Sequence, residues 1–341
     1  MLTTATSESR SIYVDQEFRE KLSVLYQSLN KDVYNANNSF KKIAYAEFSD
    51  LWIKDESGNP SGTHKDRLAL NVLELYLKWI SIRGLNEDLP KFSLISAGNA
   101  AIAIGSILKE NGLPNLKVLI DRRMDAQKIE LLQSKGCDVF LTDLFSKSFS
   151  VEDILRLTKN QNGIDLTSYC NLSDLNKTYN HLAEKILARD PDVIISPYGT
   201  GGLFSAICNA VWERCEKLFS KVDIFESKPS FAPCSVIGVT SFKNSKADKI
   251  HASFSPFDNN NNRLSFFKSI GILERKSEIC CIEDSFINEA IDVIRLNEIR
   301  CEPSGAAGLA YLIKYKNVLD KNKRCIIVNT GLGIFEQKLI K

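Results

Sequence analysis

Lys65 stands where covalent chemistry is possible. It lies in residues 51–67, LWIKDESGNPSGTHKDR, where an apolar run ends in a polar turn cluster at 55–62. Thr63-His64-Lys65-Asp66-Arg67 then opens a long helical pattern. An amine at such a strand–loop–helix junction faces helix-start N–H groups and small residues that leave room for a ligand. It can condense with a carbonyl carbon as a Schiff base.

Three further segments carry polar groups in comparable places. Pro197-Tyr198-Gly199-Thr200-Gly201-Gly202-Leu203 follows an apolar run and opens a helix. Its glycines let backbone N–H groups converge, which suits a phosphate; an isolated match of this kind is otherwise a tight turn. Ser96-Ala97-Gly98-Asn99-Ala100 also joins a strand to a helix. It offers N–H groups to a carboxylate and an amide to a ring hydroxyl, although Gly-Asn is common in turns. Thr330, in Val328-Asn329-Thr330-Gly331-Leu332-Gly333, follows the last strand and brings a hydroxyl suited to a ring nitrogen; a helix cap is the plainer reading. One ligand uses all four segments together: pyridoxal 5'-phosphate, with its phosphate, ring nitrogen, ring hydroxyl and aldehyde. A dinucleotide competes for Gly199-x-Gly201, with Glu226 after the next strand. Phe204, however, occupies the place of that motif's third glycine.

The elements that must position these residues follow a βαβ rhythm. Residues 43–53 read as a strand pair or one interrupted strand. Leu68, Val72, Leu75 and Trp79 recur at helical spacing over 68–82, with Gly84 as the stop. Strands at 92–96, 117–121 and 138–142 alternate with helices at 100–111 and 125–134. After a helix at 150–160, the turn-rich stretch 162–173 passes between lobes. Helices at 175–189, 203–219, 286–297 and 305–315 then interleave with strands at 193–196, 222–225 and 324–329. Residues 253–262, with four consecutive asparagines, read as a surface loop. This pattern predicts an α/β protein with two lobes, each an open, mostly parallel sheet flanked by helices, and the cofactor in the cleft between them. The expected division is 40–165 for the lobe bearing the lysine and carboxylate loop, and 166–341 for the lobe bearing the phosphate loop, with 1–39 packed on the latter.

Composition narrows the class. With 341 residues, 44% hydrophobic, 25% charged and a net charge of +2, the chain has ample core for two lobes. It shows no basic excess for nucleic acid or an anionic membrane. No apolar run is long enough to span a bilayer, and the N-terminal 20 residues lack the apolar centre of a secretory signal, so a cytoplasmic location is expected. The nine cysteines form no CxxC pair and several sit in apolar runs, which favours buried reduced thiols. His64, His181 and His251 are scattered, so no metal is expected.

The ordered set of motifs resembles the fold-type-II pyridoxal-phosphate enzymes, the tryptophan synthase β-like family, with threonine synthase and its relatives nearest in look. Lys54-Asp55-Glu56 and residues 59–67 are similar to that group's KDE…NPTGSFKDR stretch. SAGNA at 96–100 resembles its S-x-G-N loop, 125–141 its lysine-bearing helix–strand unit, GTGGL at 199–203 its phosphate loop, CEPSGAAGLAYL at 301–312 its EPSGA helix, and TGLG at 330–333 its TGxG. The resemblance implies that Lys65 forms the Schiff base and shuttles the substrate Cα proton. It implies that Asn99 meets the cofactor's phenolic oxygen, and that Ser96, Ala97, Gly98, Asn99 and Ala100 hold the substrate carboxylate. Gly199, Thr200, Gly201, Gly202 and Leu203 would bind the phosphate, Thr330 would meet the pyridine nitrogen, and the protein would be a homodimer. A neutral hydroxyl at that nitrogen favours elimination and replacement over transamination. Two departures stand out. His64 replaces the aromatic residue usual in threonine synthases and is more like tryptophan synthase β, where the histidine approaches the phosphate. GTGGL resembles the loops of cysteine synthases and serine or threonine dehydratases, which weakens the case for O-phosphohomoserine. The function expected is elimination or replacement at Cβ or Cγ of an amino acid, threonine-synthase-like. The alternatives are a serine/threonine ammonia-lyase, a cysteine-synthase-like β-replacement enzyme, a non-catalytic ligand-binding descendant, or a nicotinamide-dependent oxidoreductase.

Overall fold

The computed structural model describes residues 16–30, 39–83, 89–144, 148–167, 175, 177–219, 234–251 and 279–339. The expected strand at 222–225, the surface loop at 253–262, the helix stop Gly84 and the acidic Glu226 lie outside the described residues, as do residues 168–173 of the expected passage between lobes, whose earlier part instead forms a two-residue strand, Ile164–Asp165.

Two sheets form. The larger has six strands in the order β1 (Phe40–Ile43), β2 (Asp50–Asp55), β10 (Arg324–Asn329), β7 (Val193–Pro197), β8 (Ser235–Ser241), β9 (Cys280–Ile282). Only β1, on β2, runs antiparallel. The smaller has the order β5 (Cys137–Thr142), β4 (Leu116–Asp121), β3 (Phe92–Ile95), β6 (Ile164–Asp165), all parallel. The central strands are apolar on both faces because helices cover both sides: every residue of β7 is buried, as is all of β10 after Arg324. In register, Ile326 of β10 stands between Trp52 of β2 and Ile194 of β7.

The helices are α1 (Gln16–Asn30), α2 (Asp66–Arg83), α3 (Asn99–Glu110), α4 (Ala126–Ser134), α5 (Val151–Leu157), α6 (Asn180–Leu187), α7 (Gly202–Phe219), α8 (Asp284–Leu296), α9 (Pro303–Tyr315) and α10 (Ile334–Leu339). Helix α9 starts with proline at its first position, after Glu302, and is buried from Ser304 to Ile313. Small residues permit this closeness: a Cβ on Gly308 would lie 2.9 Å from Ile327 Cγ2 and 3.1 Å from the Ile195 carbonyl. The α/β class and the two mostly parallel sheets match the expectation.

Two placements differ from it. Strands β1 and β2, assigned by position to the first lobe, are hydrogen-bonded into the larger sheet, with Asp50 aligned to Arg324 and Asp55 to Asn329. Chain position does not select a strand's partner; the pairing here closes a loop of more than 250 residues. Helix α1, expected on the second lobe, lies against α2, with Leu22 buried and the Arg19 guanidinium donating to Ser81 Oγ at 3.3 Å. Strands β8 and β9 and the short α10 were not foreseen.

Candidate active site

Parallel strands point their C-terminal ends the same way, and loops from four of them meet. The loop after β2 carries Lys65, that after β3 carries residues 96–100, that after β7 carries 199–203, and that after β10 carries Thr330. All four segments, including His64, line one cavity of about 390 Å³. That volume suits a cofactor-sized ligand.

The Lys65 loop is fixed by buried charge. Glu56 accepts from Lys54 Nζ at 2.7 Å and from Arg67 Nε and Nη2 at 2.8 and 2.9 Å. Burial alone would raise this carboxyl, but the Arg67 guanidinium and Lys54 ammonium hold it well below the usual carboxylate range. Asn59 Nδ2 donates both to Glu56 and to the Thr63 carbonyl, at 2.9 and 3.0 Å. The same loop is stitched to the one carrying Thr330: His64 N donates to Thr330 O at 3.1 Å and Leu332 N to Gly62 O at 2.9 Å. The seam needs two glycines. Gly62 has φ +81° and Gly331 φ +114°, and a Cβ on Gly331 would sit 2.1 Å from the Gly62 carbonyl.

Lys65 Nζ donates to the Tyr179 hydroxyl at 3.2 Å. Tyr179 is buried just ahead of α6, and its ring lies tilted against that of His64, centroids 5.5 Å apart. Half-buried His64 brings Nδ1 to 3.3 Å from the Thr330 carbonyl, which can only accept, so the network assigns the hydrogen to Nδ1. Burial, then the Lys65 ammonium, pushes this imidazole down to about 3. The ring is therefore neutral, with its one N–H directed at Thr330.

At the glycine loop, Gly201 has φ +83° and its carbonyl accepts Ser205 N at 2.8 Å as α7 begins. A Cβ on Gly199 would lie 2.8 Å from the Lys249 carbonyl, so the turn is kept narrow. The N–H groups of a first helical turn have no partners within the helix, and with the helix dipole they suit an anion. Phe204 turns its ring edge to Tyr198 and lies against Gly238 of β8, where a Cβ would be 3.0 Å from it. A bulky residue thus fills the contact that a dinucleotide motif reserves for glycine.

Asn99 opens α3 and meets charges that the sequence did not flag. Its Nδ2 donates to Glu302 Oε1 and Oε2 at 3.0 and 3.2 Å, while its Oδ1 accepts from Lys249 Nζ at 3.4 Å. Lys249 also pairs with Glu302 at 2.7 Å and Glu336 at 2.5 Å. Glu302 belonged to a motif quoted above, but only the fold brings it to Asn99. Nothing in the spacing of Tyr179 or Lys249 singled them out. Among the described residues no group of histidines, cysteines or acids is placed to hold a metal, and no helix is long and apolar enough to cross a membrane.

The residues present fit pyridoxal phosphate: an amine, a glycine loop at a helix start, an amide and a hydroxyl line the same cavity. A family model described as "Pyridoxal-phosphate dependent enzyme" matches residues 39–331. A cysteine synthase from Dictyostelium discoideum is 24% identical over 180 residues, 51% of this chain and 46% of that protein. A cysteine synthase from a Flavobacterium species is 24% identical over 209 residues, 60% of this chain and 64% of the other. The chain thus spans less than two thirds of the length of these curated relatives. Among solved structures, a hydrogen sulfide-producing enzyme from Fusobacterium nucleatum superposes with a TM-score of 0.64 at 20% identity, covering 89% of this chain and 96% of that one.

Proposed function

The chain belongs to the family of pyridoxal-phosphate dependent enzymes, and on that premise we propose that it catalyses elimination or replacement at Cβ or Cγ of an amino acid. The observation that carries this reading is the convergence of Lys65, the glycine loop, Asn99 and Thr330 on one cavity. When bound, pyridoxal phosphate supplies an aldehyde that condenses with amines and a ring that spreads the negative charge developing at Cα.

The remaining roles fall to the chain's own residues. Lys65 would supply the amine that holds the cofactor and, as the base lining the cavity, would take the substrate Cα proton and return it or pass it to the departing group. Tyr179 gives that amine a fixed resting partner at 3.2 Å. N–H groups of 199–203 bind the phosphate, and the 96–100 turn binds the substrate carboxylate at the start of α3. Thr330 presents a neutral hydroxyl to the ring nitrogen. His64 ties the Lys65 loop to the 330 loop through Nδ1, 3.3 Å from the Thr330 carbonyl, and lines the cavity beside the lysine that would hold the cofactor.

Within this class, β-replacement on an O-activated serine is the member we favour. The GTGGL loop lacks the asparagine of threonine synthase loops, and two of three curated relatives are cysteine synthases, the third a cystathionine beta-synthase. The threonine-synthase-like and ammonia-lyase readings remain as arms of the test. The family resemblance also supports a homodimer, and the composition a cytoplasmic location; light scattering and cell fractionation test these. The deciding experiment supplies excess cofactor to the purified protein. A visible band should appear, borohydride should bleach it, and the label should map to Lys65; Lys65→Ala should stay colourless and inactive. A panel of O-acetylserine, serine, threonine, O-phosphoserine and O-phosphohomoserine, with products identified, then assigns the reaction. Wild-type protein that never takes up the cofactor would remove the basis of this reading.

A further inference from the structure

Asn99, which lines the cavity, has two orientations related by a flip of its amide, and the flip exchanges the places of its donor Nδ2 and its acceptor Oδ1. In the observed orientation the Nδ2 group faces the Glu302 carboxylate and Oδ1 faces the Lys249 ammonium. The flipped amide would set its carbonyl against the carboxylate and its NH2 against the ammonium, two repulsive contacts where there are now two attractive ones. Glu302 is itself saturated by donors: besides Asn99 it accepts from Lys249 at 2.7 Å and from Gly333 N at 3.1 Å. Gly333 lets these groups close up, since a Cβ there would lie 2.1 Å from Asn99 Oδ1 and 2.8 Å from Glu336 Oε2.

We propose that Lys249 and Glu302 are positioning residues that lock the Asn99 amide with its second Nδ2 hydrogen turned to the cavity, as a donor to the phenolic oxygen of the cofactor. The inference rests on the reading of the cavity as the cofactor site. Without Lys249 one of the two flip penalties disappears, and Glu302 and Glu336 lose the ammonium they share. Burial and the Glu336 charge push the Glu302 carboxyl upward, and loss of Lys249 removes the cation that opposes them. With no ammonium left beside Oδ1, the observed orientation loses the contact that distinguished it from the flipped one, and the donor in the cavity is no longer fixed.

The test uses the full chain reconstituted with pyridoxal phosphate and reads the absorption spectrum of the bound cofactor and its dissociation constant. Lys249→Met should move intensity from the visible to the near-ultraviolet band and weaken cofactor binding by roughly tenfold, the size of one lost charge-assisted hydrogen bond. Lys249→Arg should restore both. In an Asn99→Ala background the Lys249→Met change should shrink to within about twofold, because the lysine acts through the amide. Should Lys249→Met fail to fold, Glu302→Gln decides: its amide pairs with Asn99 in either orientation, so the same spectral change is expected. A folded Lys249→Met, or in its place Glu302→Gln, with unaltered spectrum and affinity overturns the inference. So does a full-sized loss in the Asn99→Ala background. Wild-type protein that binds no pyridoxal phosphate overturns the site reading along with it, which separates the two failures.

Discussion

His64 and Asp66 flank Lys65 with shifts of opposite consequence. Burial drives the His64 imidazole from 6.5 down to about 3 and the Asp66 carboxyl from 3.8 up to about 6. For His64 the unfolded chain binds a proton that the folded chain refuses. Its contribution is therefore present above about pH 6.5 and lost as pH falls toward 3. Asp66, which accepts from Ser61 N and Oγ at 2.9 and 2.7 Å, works the other way. Its folded form holds a proton that the unfolded form releases, so its contribution is present below 3.8 and lost as pH rises through about 6. Urea unfolding of the cofactor-free protein near pH 7 and near pH 5 should show His64→Asn losing less stability on acidification than wild type. An equal or greater loss would mean that the histidine is not held neutral in the fold.

The seam between the Lys65 loop and the loop after β10 decides where the amine and the Thr330 hydroxyl stand relative to each other. It is made by backbone contacts, so side-chain changes elsewhere reach it poorly, whereas a single methyl group at the crossing disrupts it. Gly331→Ala adds a Cβ that would lie 2.1 Å from the Gly62 carbonyl and 2.8 Å from Thr63 Cα, at φ +114°. We expect a loss of at least about 2 kcal/mol in thermal unfolding, together with weaker cofactor binding. Gly58→Ala is the control, because a Cβ there meets nothing within 4 Å. Equal behaviour of the two variants would show that the seam does not set the site.

The two sheets do not have separate interiors. One cluster of buried side chains joins Leu94 of β3 and Ile102 of α3 to Leu73 of α2, Leu203 of α7, and Ile194 and Val236 of the larger sheet. A second cluster fills the far side of the larger sheet under α8 and α9. With a shared core on the cleft side, the lobes are expected to melt together. Leu73→Ala, at a fully buried position, should cost about 2–5 kcal/mol and lower a single calorimetric transition. Two separated transitions in the variant would show that the lobes unfold independently.

The amino-acid sequence by itself singled out the candidate groups, an amine, a glycine loop, an amide and a hydroxyl that the fold brings to one cavity, and the alternation of strand and helix that carries them. Each is a matter of residue type and short spacing, because a glycine turn before a helix or a β-rich run reports on its own few neighbours. Sheet membership was decided only in three dimensions, since nothing near residues 50–55 records that their partner lies at 324–329. The same holds for the groups that orient the site. Tyr179 reaches Lys65 across 114 residues, Lys249 reaches Asn99 across 150, and Glu302 reaches Asn99 across 203. A contact closed over such distances rests on the packing of the whole chain, and the spacing of residues along it carries no trace of the meeting.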